Sequence, residues 1–105
     1  MPEGGLGAFM WAAASVAPNG TTEMQRGCVI AREAVGTYTI TLDRSLMEDN
    51  GVFLFSIGDV GAVPVAPRSI EHNHVSETVI RVWTVNNGGI PTDYDWHFAC
   101  WRVSP

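Results

Sequence analysis

Short segments rich in β-branched and aromatic residues, separated by turn-forming residues, fill most of this chain from Glu23 onward. The clearest segment is TYTITL, in which Tyr38, Ile40 and Leu42 alternate with three threonines. Successive side chains of a strand point to opposite faces, so this alternation predicts a strand with one apolar and one polar face. No stretch of the sequence shows the period of a long amphipathic helix. The pattern therefore predicts an all-β fold.

Other strands are predicted wherever a similar segment lies between turn signals. They cover Phe9–Val16, Cys28–Glu33, Thr37–Leu42, Val52–Ile57, Ile70–Val75, Thr78–Val85 and Asp95–Val103. The alanines of the first segment also allow a short helix, but the APNG turn that follows favours a strand. The chain of 105 residues is long enough for one domain. We expect an antiparallel β-sandwich or jelly roll of seven to eight strands.

The N-terminal residues 1–7 (MPEGGLG) are rich in glycine, and we expect them to form a flexible arm before a single domain over residues 8–105. The apolar run Leu6–Ala17 is not preceded by a cation, because Glu3 stands where a signal peptide carries positive charge. At about 12 residues the run is also too short to cross a bilayer. Neither export nor membrane insertion is expected from this segment.

Low charge and doubly apolar strands predict that one copy does not bury all its apolar surface. Hydrophobic residues make up 46% of the chain and charged residues 16%, against a usual charged share of about 25%. In the last predicted strand Trp96, Phe98 and Cys100 face one side, whereas His97, Ala99, Trp101 and Val103 face the other. A sandwich strand needs only one buried face, so the second face predicts an oligomer or another partner.

The balance of charge argues against nucleic-acid binding. Six basic and eleven acidic residues give a formal net charge of −5, and the chain contains no lysine. Proteins that bind DNA or RNA need clustered cations to neutralise phosphates. No nucleic-acid partner is therefore expected.

The segment IEHNHV contains the letters HNH, which also name a nuclease family, but in those enzymes the three residues are separated along the chain. His72 and His74 would share one face of a strand, a workable geometry for two metal ligands. A third ligand would have to come from Glu71, Glu77, Asp95 or His97, although Glu71 would point to the other face of the strand. We favour the alternative of a solvated edge strand that binds no metal or other cofactor.

Catalytic patterns are also absent from the sequence, and no enzymatic activity is expected. There is no G-x-S-x-G motif, and His97 and Cys100, three apart on a strand, would face opposite sides. Asp93 and Asp95 lack the further oxygen ligands of a calcium loop, and Asp93 is expected to cap a turn. Cys28 and Cys100 are expected to be buried free thiols, with a disulfide between them left open.

Two long segments carry a resemblance to a known class of proteins. They are GCVIAREAVGTYTITLDRSLMEDNGVFLFS and VSETVIRVWTVNNGGIPTDYDWHFACWRV. The first has a G-x-Y-x-I-T-L-D strand and the second ends in a D-x-x-F-x-x-W-R strand. Together they resemble small β-sandwich modules of tailed-bacteriophage virion proteins, which occur on fibres and as free-standing capsid proteins. The resemblance implies a multimeric structural protein and brings no catalytic residues with it.

On this basis we expect a capsid decoration (cement) protein, assembled in the host cytoplasm and located in the virion. It would form a homo-oligomer, a trimer by preference, and would bind the major capsid protein. Its docking arm would include Leu6, Phe9, Met10 and Trp11. Its oligomer interface would include Trp83, Trp96 and Trp101, since aromatic side chains are common interface anchors. The alternatives are a tail- or head-fibre adhesin that binds host glycan and, more weakly, a metal-dependent enzyme.

Overall fold

The computed structural model describes residues 8–44, 51–57 and 68–103, and within these ranges the chain forms eight strands and no helix. The strands are β1 (Ala8–Val16), β2 (Thr22–Arg26), β3 (Cys28–Ala34), β4 (Thr37–Leu42), β5 (Gly51–Ile57), β6 (Ser69–His74), β7 (Val79–Val85) and β8 (Trp96–Val103). All neighbouring pairs are antiparallel. None of the described residues forms a helix that could cross a membrane.

The described strands form two sheets. Sheet A has the order β2-β1-β8-β5, and sheet B has the order β3-β4-β7-β6. Their facing side chains form a single core, as in a sandwich. The prediction of a small all-β sandwich is confirmed, whereas the jelly roll is not.

The core lies between the sheets and is built from alternate residues of the central strands. In β4 the inward residues Tyr38, Ile40 and Leu42 are buried, as the alternation predicts. In β8 the inward residues include Trp96, whose ring centroid lies 5.1 Å from that of Tyr38 across the core. The other core residues are Ala12, Ala14, Val16, Cys28, Ile30, Ile80, Val82, Phe98 and Cys100. The small β1 side chains leave room for the aromatic rings of β8 and β4.

A single residue, Gly27, joins the edge strand of sheet A to the edge strand of sheet B. Its φ of 70° lies in the left-handed region that glycine adopts without strain. A Cβ at Gly27 would collide with the carbonyl oxygen of Trp11. The backbone oxygen of Gly27 also accepts a 3.0 Å hydrogen bond from the Asp43 N–H. The chain therefore turns from one layer into the other at a position that requires glycine.

Strand β1, which contains three of the residues expected in the docking arm, is a central strand of sheet A. It pairs with β8 from Ala8 onward, with an irregular register between Met10 and Ala12. Phe9, Met10 and Trp11 thus belong to the sandwich rather than to a separate arm. Residues 1–7, with Leu6, lie outside the described residues.

Candidate functional site

Part of the outer face of sheet A is apolar although it is exposed to solvent. Since Trp96, Phe98 and Cys100 face the core, His97, Ala99 and Trp101 face outward. Ala99 pairs with Ala13 of β1 on one side and with Leu54 of β5 on the other. Met10 is 47% exposed, Met24 48% and Leu54 58%. We call this surface, comprising Met10, Ala13, Met24, Leu54, Ala99 and Trp101, the A face.

Two shallow grooves run along the A face, one on each side of its centre. The β1–β2 groove, of about 330 Å³, is lined by Met10, Ala13, Met24, Gln25 and Arg26. The β5–β8 groove, of about 380 Å³, is lined by Leu54, Phe55, Ser56, His97, Phe98 and Ala99. Apolar atoms make up most of both linings. A monomeric protein rarely leaves neighbouring apolar grooves uncovered, so the A face has the character of a contact surface.

The structure separates the three tryptophans that were expected to form an oligomer interface. Trp96 is completely buried in the core. Trp101 is half-buried on the A face, and Trp83 is half-buried on the outer face of sheet B. Trp96 and Trp101 lie five positions apart on one strand, so they cannot share a face. Of the three, only Trp101 lies on the A face.

The residues expected to dock on a capsid are divided between surface and core. Met10 pairs with Trp101 and contributes to the β1–β2 groove. Trp11 packs against the core cluster, and Arg44 lies 5.8 Å from its ring centroid. The irregular register beside Met10 allows these neighbours to have different surroundings. Of these two residues, Met10 remains available for docking.

A polar cluster at one end of the sandwich is centred on Asp93. Its Oδ2 accepts a 2.6 Å hydrogen bond from Arg32 Nη2, which is also an ion pair. Its Oδ1 accepts hydrogen bonds from the Gly36 N–H at 2.7 Å and from the Tyr38 hydroxyl at 2.8 Å. Asp93 therefore caps the β3–β4 turn, in keeping with its expected capping role, and ties that turn to the loop before β8. We call the cluster of Asp93, Arg32, Gly36 and Tyr38 the clasp, because its hydrogen bonds hold these segments together.

Hydrogen bonding and burial shift the pKa values within this cluster. Burial alone would raise the pKa of Asp93, but the hydrogen bonds from Arg32, Gly36 and Tyr38 outweigh it and hold that pKa below its usual value. Burial, followed by the hydrogen bond to Asp93 and its negative charge, raises the pKa of Tyr38 to about 12. Both shifts favour an ionised Asp93 carboxylate and a neutral Tyr38 phenol near neutral pH. These are the charge states in which Tyr38 donates its hydrogen bond to Asp93.

The two histidines of IEHNHV lie at the edge of the sandwich where β6 faces β5. The His72 ring stacks on Phe55 with centroids 4.8 Å apart, and the His74 ring lies edge-on to Phe53 at 5.3 Å. The two imidazole centroids are 5.5 Å apart. Both residues are exposed, as expected of an edge strand. Their rings cover the phenylalanines along this edge.

Neither a set of metal ligands nor an exposed thiol is found in the part of the chain that the structure describes. No group of three His, Cys, Asp or Glu side chains there is arranged to hold a metal ion. Cys28 and Cys100 are buried thiols that are not joined by a disulfide, and burial raises the pKa of the Cys28 thiol. A thiol with a raised pKa is a weak nucleophile at neutral pH.

Comparisons with protein-family models, curated proteins and solved structures find no match to this chain. The resemblance to phage virion modules therefore rests on the sequence motifs alone. Only part of the A face could be predicted from the sequence. The apolar flank of β8 was clear, but Met24 and Leu54 join it only through strand pairing.

Proposed function

We propose that this chain is a virion structural protein of a tailed bacteriophage, a capsid decoration protein that binds the shell as a homo-oligomer. The expected oligomer is a trimer. The observation that carries the proposal is the A face, on which the exposed side chains of Met10, Met24 and Leu54 surround the paired residues Ala13 and Ala99. The sequence resemblance supplies the phage context.

Assembly through the A face would be driven by the burial of apolar surface. Each Å² removed from water contributes about 25 cal/mol, and a stable interface buries about 800 Å² on each partner. The A face is carried by paired strands, so little backbone order has to be gained on binding. Decoration would thus require no chemistry and no cofactor.

The two grooves of the A face suggest a division of roles. The β1–β2 groove contains Met10, and Met10 lies near the start of the strand that follows residues 1–7. We assign this groove, together with that N-terminal segment, to the capsid shell. We assign the β5–β8 groove, with Leu54 and Ala99, to the neighbouring copy.

A pair of charge insertions tests both roles. Leu54→Glu should abolish oligomers in sedimentation equilibrium, since an uncompensated carboxylate would be buried in the copy-to-copy contact. Met24→Glu should leave the oligomer intact but prevent co-sedimentation with phage heads that lack their decoration protein. The matched control is Val29→Glu, because Val29 is 53% exposed on sheet B and lies off the A face.

Two results would contradict the proposal. One is a wild-type chain that stays monomeric at high concentration and does not sediment with heads. The other is equal loss of binding in the A-face variants and in Val29→Glu, which would show that the A face has no special role.

A further inference from the structure

We propose that the outer face of sheet B binds a neutral saccharide, with the indole of Trp83 as the stacking platform. This face lies on the opposite side of the sandwich from the A face. The inference goes beyond capsid decoration and stands on different residues.

Strand register places Trp83 in the middle of a polar row. Ile80, Val82 and Thr84 of β7 are completely buried, so Trp83 faces outward. It pairs with Thr37 of β4 on one side and Glu71 of β6 on the other. An aromatic ring that is half-buried between a hydroxyl and a carboxylate presents an apolar surface with polar groups beside it.

A groove of about 360 Å³ adjoins this row. It is lined by Arg68, Ser69, Glu71, Val85, Asn86, Asn87 and Gly89. Glu71 is the cross-strand partner of Trp83, and Val85 follows two positions later on the same face. Two of the residues that line the groove are therefore direct neighbours of Trp83 on the outer face of sheet B.

Some of the polar groups in this groove already stabilise the protein, whereas others face solvent. Asn86 Oδ1 accepts hydrogen bonds from the N–H groups of Gly88 and Ile90, so it holds the turn after β7. Ser69, Glu71 and Asn87 are exposed. A hydroxyl, a carboxylate and an amide together offer both donors and acceptors at the groove.

This combination fits the chemistry of a pyranose ring. The ring has an apolar C–H face that packs on an indole, and hydroxyls at its edge that bind carboxylate and amide groups. The groove carries one acidic and one basic side chain, Glu71 and Arg68, so a neutral ligand suits it better than a strongly charged one. A chain with a net charge of −5 would also repel polyanions.

The test uses the purified full chain and an array of oligosaccharides built from glucose, galactose, mannose, rhamnose and N-acetylglucosamine. Binders are then titrated while the indole N–H resonance of Trp83 is followed by NMR. We expect binding in the millimolar to micromolar range and a shift of that resonance. Trp83→Ala should weaken binding by roughly tenfold or more, as expected for loss of an aromatic anchor.

Two further variants keep the result interpretable if Trp83→Ala does not fold. Trp83→Phe should retain part of the affinity, because a smaller ring still stacks. Glu71→Gln should weaken binding without removing the platform. Asp43→Asn, which removes an exposed carboxylate outside the groove, is the matched control for Glu71→Gln and should bind the saccharide as the wild type does.

Absence of binding across the array, or binding that survives both Trp83→Ala and Glu71→Gln, would overturn the inference. Neither result bears on capsid decoration, which is measured by binding to heads. Conversely, saccharide binding by a chain that ignores heads would separate the two roles.

Discussion

The phenol of Tyr38 donates a 2.8 Å hydrogen bond to Asp93, 55 residues further along the chain. Arg32 and the Gly36 N–H donate to the same carboxylate. One buried strand, one hairpin turn and the loop before β8 are thus held by a single side chain. This clasp should matter to stability far more than its position near the surface suggests.

We expect Asp93→Asn to lower the free energy of unfolding by about 2–3 kcal/mol, because hydrogen bonds to a charged acceptor are stronger than neutral ones. Tyr38→Phe should lower it by about 1 kcal/mol. The double variant should lose less than the sum, since the two changes remove a shared interaction. Urea unfolding measures all three, and Asp43→Asn, which removes an exposed carboxylate, is the control.

The clasp also predicts how stability depends on pH. The pKa of Asp93 is lowered in the folded protein, so its contribution is present above the unfolded pKa of about 3.9 and is lost as pH falls through the folded value. The pKa of Tyr38 is raised to about 12, so its contribution is present below about 10 and is lost as pH rises toward 12. Melting temperatures measured across pH should fall at both ends. An acid limb unchanged by Asp93→Asn would count against this account.

A side chain at Gly36 should destabilise the turn that Asp93 caps. Gly36 has a φ of 63°, and a Cβ there would collide with the backbone nitrogen of Thr92 and the carbonyl oxygen of Thr84. Gly36→Ala should cost about 2–4 kcal/mol through left-handed backbone strain and overlap. Gly89→Ala is the matched control, because Gly89 has a φ of 78° but no atom within 4 Å of its Cβ position. Equal losses in chemical unfolding would show that overlap contributes nothing.

The histidines of β6 should stabilise the fold through their rings. His72→Ala should cost about 1 kcal/mol, the usual value of an aromatic pair, whereas His72→Phe should keep most of that contribution. The His74 variants should behave similarly against Phe53. If alanine and phenylalanine variants unfold at the same denaturant concentration, the ring contacts do not stabilise the edge.

Removal of residues 1–7 should leave the sandwich folded, because β1 begins at Ala8. Under the proposed function the truncated chain should keep its oligomeric state but bind phage heads more weakly. Removal of residues 1–11 should instead destabilise the protein, since Ala8, Phe9 and Met10 pair with β8. Circular dichroism separates loss of fold from loss of binding. Normal head binding after removal of residues 1–7 would exclude a docking role for that segment.

Local patterning was sufficient to predict most of the strands. The segment Thr37–Leu42 has the same bounds in the structure, and seven predicted segments correspond to seven of the eight strands in the described residues. Strand β2 was missed as a separate element because its five residues, TEMQR, are polar or long and are largely exposed. Alternation gives little signal in a short edge strand that buries neither face.

Long-range pairing explains what could not be predicted. The sequence indicates that Asp93 caps a turn, but not that the turn lies 57 positions earlier, at Gly36. The A face likewise requires that β1, β5 and β8 be neighbours, and the order of strands in a sheet is not encoded in any one segment. The stacking of His72 on Phe55 depends in the same way on two edge strands from different sheets.

The glycine joint between β2 and β3 makes the two long sides of the sandwich unequal. On that side one residue separates two strands of different sheets, whereas on the other side residues 58–68 separate β5 from β6, and the phenylalanine rings of β5 meet the imidazole rings of β6. Thermal fluctuations that part the layers should therefore begin where the rings meet, with the short Gly27 connection acting as a hinge. Amide protons of β6 would exchange with deuterium well before those of β3, and solvent would first reach the core past Phe53 and Phe55.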